Sequence, residues 1–227
     1  MILAMIPARM GSQRLKQKNL RELAGVPLIT RAIRKCQVAG VFDAIWVNSE
    51  HPAFGEIAAA EGVGFHQRPE AVANNQATSE HFVAEFLQAH ECDFVVQVHS
   101  IAPLLTVEEI RSFVEVLKRD EVECLLSAER VQIECAYQGR PMNFTFSEKT
   151  NSQDLEPVDL ISWSITGWRR STFLDAVSRG ECATYSGRIG FFPVSPLAGH
   201  VIKTERDLQV AEALLPLVEK LDEEGSV

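Results

Sequence analysis

Two hydrophobic rhythms alternate along the first half of the chain. Residues 1–6 (Met-Ile-Leu-Ala-Met-Ile) form a continuous apolar run, the pattern of a strand covered on both faces. Over residues 27–38 the apolar positions Leu28, Ile29, Ala32, Ile33 and Cys36 recur at helical spacing, and Pro27 suits a first turn. Residues 44–47 read as a strand, 52–61 as a helix and 63–66 as a short strand. A helix over 78–90 follows, with Phe82, Val83, Phe86 and Leu87 on its buried face, and then a strand over 93–98 interrupted only by Gln97. Thr106 and Glu109 have the spacing of a capping box, opening a helix whose buried stripe is Ile110, Phe113, Val114 and Leu117. Residues 123–128 give another strand. This order predicts an α/β fold with a mainly parallel sheet flanked by helices on both faces. Its ligands are expected beyond the carboxyl ends of the strands.

The rhythm changes near Arg130. "AYQGRPMNFTF" and "VDLISWSITGW" are rich in aromatic and β-branched residues, which predicts a β-rich, extended excursion over 132–168 that covers a substrate or a second subunit. Helices return over 169–179 and 204–221, and the tail from Asp222 reads as frayed. No repeat or low-complexity segment divides the chain, so residues 1–227 are read as one domain with 132–168 as an insertion. Trp163 and Trp168 read as packing or dimer contacts.

Composition narrows the functional classes. The formal net charge of −9 argues against a nucleic-acid partner. No apolar run reaches the roughly 20 residues of a membrane span, and residues 1–6 lack the basic leader of a signal peptide. A cytoplasmic protein is expected, its five scattered cysteines buried free thiols rather than disulfides or zinc ligands.

Against that acidic background the loop leaving the first strand is an exception. "IPARMGSQRLKQKN" (residues 6–19) carries Arg9, Arg14, Lys16 and Lys18 around Gly11 and Ser12. A glycine there permits positive φ and lets backbone amides converge on an anion, while the cations neutralise phosphate oxygens. The stretch is neither a Walker A loop nor GxGxxG. A solvated charged loop is the bland reading; a position directly after a buried first strand favours an anion site.

The whole stretch "IPARMGSQRLKQKNLRELAGVPLI" closely resembles the N-terminal signature of the acylneuraminate cytidylyltransferases (CMP-sialic acid synthetases), and also of the related CMP-Kdo synthetases. "VNSE" (48–50 within it) resembles that family's S-T-D, and "RPEAVANNQATS" its R-P-x-x-L-A-x-D-x-A-S, with Arg68, Pro69, Ala73, Ala77 and Ser79 in register. The resemblance implies a Rossmann-like nucleotidyltransferase fold, a homodimer, and transfer of a cytidylyl group from CTP to an acidic sugar with release of pyrophosphate. By position, Ala8, Arg9, Gly11, Ser12, Arg14, Lys18, Asn19, Arg68 and Ser79 would bind the nucleotide, with Arg9, Arg14 and Lys18 stabilising the leaving pyrophosphate. "QVHSIAPLLT" stands for the family's Q-x-T-S-P-L-R, which makes Gln97, His99 and Ser100 candidates for the acceptor. Gln97 is open to either a ligand contact or a satisfied structural amide. Gln153 and Ser164 are further candidates for the acceptor pocket.

The sequence departs from the family where metal chemistry is expected. "HVIKTERDL" replaces the family's D-I-D-T, so Val201 and Lys203 stand where its two magnesium-binding aspartates would be. Thr204 and Asp207 have N-cap and N3 spacing, which gives Asp207 a capping role. Either Lys203 supplies the positive charge and any Mg²⁺ arrives on the nucleotide, or the chain keeps the fold without the transfer chemistry. A non-catalytic nucleotide- or sugar-binding relative, and a transferase using another nucleotide such as UTP, are the alternatives.

Overall fold

The computed structural model describes residues 1–72 and 78–224. Ala73 and Ala77, two of the positions matched to the family signature, lie outside the described residues, as does the end of the tail from Gly225 onward.

Seven strands form the central sheet: β1 (Ile2–Pro7), β2 (Ala44–Ser49), β3 (Gly64–Gln67), β4 (Phe94–Val98), β5 (Cys124–Val131), β6 (Val158–Arg169) and β7 (Ile189–Val194). In space they run β7-β5-β6-β4-β1-β2-β3. All neighbouring pairs are parallel except those of β6, which is antiparallel to both β4 and β5. The helices are α1 (Leu28–Ala39), α2 (Ala53–Ala60), α3 (Ser79–Ala89), α4 (Val107–Lys118), α5 (Arg170–Ser178) and α6 (Glu205–Glu224).

The unbroken apolar run of β1 is explained by what lies on either side. Ile2, Ala4 and Ile6 face a core shared with α1, α2 and α4, whereas Leu3 and Met5 face one built with α3 and α5. A strand buried on both faces has no polar alternation to display. The cap of α4 forms as its spacing predicts: the Glu109 amide donates to Thr106 Oγ1 at 3.1 Å and the Thr106 amide to Glu109 Oε2 at 2.8 Å. Between β1 and α1, Ala24 and Gly25 both adopt positive φ and close a two-residue hairpin joining Leu23 to Val26.

The segment expected as one excursion divides in two. Residues 132–157 lie outside the sheet, holding a short ladder between Ala136–Tyr137 and Arg140–Pro141. From Val158 the chain becomes β6, which is a central strand of the sheet. It lies so close to α4 that a Cβ at Gly167 would stand 2.5 Å from Leu117 Cδ1. Trp168 is accordingly a core residue, 1% exposed, with its indole N–H donating to the Thr184 carbonyl at 3.0 Å. Trp163 sits in a register slip between Ile161 and Thr166 and holds φ at 59°. All five cysteines are free, but burial holds only for Cys36 and Cys124; Cys182 is exposed. No helix of the described residues is long and apolar enough to cross a membrane.

Candidate active site

After β1 the chain steps through β2 and β3 on one side, then crosses back to place β4 on the other side of β1. The loops leaving β1 and β4 therefore run apart, and the crevice between them is the topological switch point of the sheet. A cleft of about 380 Å³ lies there, within the usual size of a small-molecule site. One wall is the loop after β1 (Ala8, Arg9, Ser12, Arg14, Lys18 and Asn19) and the other is His99, Ser100 and Ile101 after β4. Arg68 and Phe82 close the side toward β3.

The two walls are tied together by short polar contacts. Asn19 donates from Nδ2 to the Arg9 carbonyl at 3.2 Å and accepts from Ser100 Oγ at 3.0 Å. Both Asn19 and Ser100 are buried, so these bonds fix the spacing of the walls. Arg68, 4% exposed, braces the floor. Its guanidinium donates to Asn48 Oδ1 at 2.7 Å and to the carbonyls of Asn48 and Ala8 at 2.9 and 3.4 Å, and it lies 4.1 Å over the Phe82 ring. Burial pulls its pKa down to about 10.

The loop amides behave differently from the expected anion nest. The amides of Ala8, Met10 and Ser12 donate to the Asn48 carbonyl, Glu50 Oε1 and the Met10 carbonyl. Gly11 stays outside the left-handed region, which falls instead at Gln17, and a Cβ at Gly11 would meet nothing within 4 Å. Side-chain cations therefore dominate this wall. Lys18 is half-buried among them, and its ammonium is lowered by burial and then by the charges of Arg14, Arg9 and Lys203. Such mutual repulsion is relieved when an anion binds.

Lys203 is exposed just before α6 and does not line the cleft. The amide of buried Ile202 donates to the Ile101 carbonyl at 2.8 Å, tying the segment before α6 to the β4 wall. Asp207 caps α6 as its spacing predicts, accepting from the amides of Lys203 and Thr204 at 2.9 and 2.8 Å, while its own amide donates to Thr204 Oγ1 at 3.3 Å. Those bonds, the one from the Lys203 amide first, hold its carboxyl below the usual range.

His99 faces the cleft with Nε2 unpartnered, and burial pushes its imidazole down to about 4, with Lys18 adding to the effect. Beneath it Gln97 and its register partner Thr166 are fully buried, and neither side chain has a hydrogen-bond partner. Buried groups left unpaired in this way are characteristic of functional sites or unseen water.

Three candidates lie elsewhere. Ser79 opens α3 without lining the cleft. Gln153 is exposed on the outlying segment, its carbonyl accepting from Gln132 at 2.9 Å. Ser164 is buried, donating to the Ala198 carbonyl and sharing a hydroxyl cluster with Ser127 and Ser162. Conversely, the sequence pattern placed Phe82 in the core and left Glu50 without a role. Two signals pointed to Glu50: its match to the last position of the family's S-T-D and its place just beyond β2, at the carboxyl edge of the sheet.

A divalent metal held by the protein does not fit the residues present. Among the described residues no Asp or Glu lines the cleft, and no three His, Cys, Asp or Glu side chains form a group that would hold a metal ion.

Comparison with known proteins gives one consistent result. The family model for cytidylyltransferases matches residues 3–185. N-acylneuraminate cytidylyltransferase A of Danio rerio is 32% identical over 130 residues, covering 57% of this chain and 30% of that protein. The N-acylneuraminate cytidylyltransferase of Oncorhynchus mykiss is 25% identical over 193 residues, covering 81% of this chain and 45% of that one. The chain thus spans less than half the length of either relative. In fold it is similar to a CMP:2-keto-3-deoxy-manno-octonic acid synthetase solved with CTP, at a TM-score of 0.71 and 16% identity over 95% of this chain and 98% of that one.

Proposed function

The chain belongs to the cytidylyltransferase family, and from that premise we propose that it transfers a cytidylyl group from CTP to an acidic sugar of the sialic-acid or 3-deoxy-2-keto type. A sugar hydroxyl oxygen attacks the α-phosphorus, the bond from that phosphorus to the bridging oxygen breaks, and the hydroxyl proton is released as pyrophosphate leaves. The observation that carries this reading is the gathering of Arg9, Arg14 and Lys18 at the switch-point cleft. Cations fixed beforehand stabilise the charge that accumulates on departing pyrophosphate. Ser100 and Asn19 hold the walls at their separation, and Arg68 holds the floor.

Neutral groups dominate the inner wall, where His99 lies over Gln97 and Thr166. That end suits the acceptor's hydroxyl groups, and the cationic end the triphosphate. The rest of the reading is a cytoplasmic homodimer in which the outlying part of 132–168 covers the acceptor or meets the partner. Tyr137, Met142 and Phe146 stand well exposed on that segment and support a contact there.

Pyrophosphate release measured with CTP, UTP, ATP and GTP against a panel of 3-deoxy-2-keto acids tests the proposal. Release with CTP and one such acid is expected, and Arg9→Ala or Lys18→Ala should weaken CTP binding about tenfold to a hundredfold. The absence of any carboxylate among the described residues that line the cleft favours a second reading, a relative that binds nucleotide without transferring it. Tight CTP binding with no release from any pair would select that one.

A further inference from the structure

We propose that Lys35 is a positioning residue for the inner wall of the cleft: its ammonium holds the loop after β4 from beneath, and through that loop it sets His99, Ser100 and Ile101 against the acceptor. The inference rests on the transfer reading of the cleft.

The loop is two consecutive tight turns. The Ala102 amide donates to the His99 carbonyl at 3.0 Å, and the Leu105 amide to the Ala102 carbonyl at 3.2 Å. Residues 102–105 are all buried, so the carbonyls of Pro103 and Leu105 need partners inside the protein. Both accept from Lys35 Nζ, the first at 2.8 Å. Between them the fully buried Leu104 packs in a cluster with Leu15 of the cationic loop, Leu28 and Ile202. The wall is thus pinned by apolar packing at Leu104 and by one charged side chain at the carbonyls on either side of it.

Behind the wall the packing is incomplete. A void of about 10 Å³ is lined by His99 and Ser100 on the side of the wall and by Arg31 and Lys35 on the side of α1. That is room for about one water, and it leaves the undersides of His99 and Ser100 with little to rest on. The bonds from Lys35 span this gap.

Lys35 is itself held. Its side chain is only 15% exposed, and Asp222 Oδ2 of α6 lies 4.0 Å from the ammonium. Asp222 Oδ1 in turn accepts from the Val107 amide at 2.8 Å, at the head of α4. One turn back along α1, Arg31 donates to the Leu23 carbonyl at 2.6 and 2.9 Å. Lys35 does not line the cleft, so its effect on an acceptor passes through the loop.

Steady-state pyrophosphate release by the full chain, with CTP and a panel of 3-deoxy-2-keto acids, tests this. Lys35→Met keeps the length of the side chain and removes its donors. It should raise the acceptor KM about tenfold while kcat and the calorimetric affinity for CTP each change less than about threefold. Lys35→Arg keeps donors for both carbonyls and should bring the acceptor KM back to within about threefold of wild type. A folded Lys35→Met with the wild-type acceptor KM overturns the inference, as does a Lys35→Arg no better than Lys35→Met. The wild-type protein decides the matter if Lys35→Met does not fold. Saturated with a CTP analogue that carries a methylene bridge between its α- and β-phosphorus, it should show the NMR resonance of the Lys35 ammonium shifting when the acceptor is added. An unmoved resonance overturns the inference alone. No pyrophosphate release by the wild-type protein with any acid overturns the transfer reading and this inference with it.

Discussion

At the scale of single residues, the cleft separates groups that touch a ligand from groups that hold the others in place. Arg68 belongs to the second kind: its guanidinium is committed to Asn48, Ala8 and the Phe82 ring. Arg68→Met would leave those acceptors unpaired in a buried floor. A loss of about 2 kcal/mol of stability is expected in denaturant titration, accompanied by weaker CTP binding. His99 gives a pH signature. Its folded-state pKa of about 4 lies below the ordinary histidine value, so the unfolded chain takes up the proton first. The stability its neutral ring contributes is complete above about pH 6.5 and is lost as pH falls toward 4, amounting to no more than about 3 kcal/mol. His99→Asn should flatten the stability profile across that window. Arg9, Arg14 and Lys18 were picked out because a cationic loop leaves a buried first strand, and Arg68 only through its match to the family's R-P segment; all four line the cleft. Gln153 and Ser164 do not, since nothing in a linear pattern reports whether a side chain's bonds are spent on its own neighbours.

At the scale of elements, the local signals that held were those with a local cause. The capping boxes at Thr106 and at Thr204 with Asp207 involve residues three apart, and both form. Thr106→Ala should cost about 1 kcal/mol, read as a lowered denaturation midpoint at unchanged slope. Elements whose form depends on distant neighbours were missed. β7 alternates exposed and buried residues and carries Gly190 and Pro193, which weaken any strand signal; as an edge strand it tolerates the proline. β6 read as an exposed excursion because its polar Ser162 and Ser164 break the apolar run, yet those hydroxyls are satisfied inside the fold, Ser162 Oγ by Ser127 Oγ and Ser164 Oγ by Ser162 Oγ and the Ala198 carbonyl. Lys35 on α1 supports the same point. It donates to the Pro103 carbonyl at 2.8 Å beneath the β4 loop, and burial lowers its pKa to about 8. Between pH 8 and 10.5 the unfolded chain holds that proton more tightly, so stability should rise with pH by no more than about 3 kcal/mol. Lys35→Met should remove that rise.

At the scale of the whole molecule, the site exists because the sheet reverses its winding between β1 and β4. If the outlying segment meets a second copy of the chain, Met142→Ser with Phe146→Ser should halve the sedimenting mass at micromolar concentration while leaving CTP affinity unchanged. Phe146 is 76% exposed in the single chain, so the pair carries little folding burden. The sequence by itself determined the α/β class, the helices with their caps, the two-faced burial of β1 and the basic loop. Each of these is written in residues a few positions apart, where periodicity and capping act. Only the tertiary structure decided that β6 returns antiparallel into the sheet, that Ser100 bonds to Asn19 across 81 positions, and that the Ile202 amide bonds to the Ile101 carbonyl. The physical reason is that an apolar rhythm states which face of an element is buried without stating what buries it. The neighbour is chosen by pairing and packing between segments far apart in the chain.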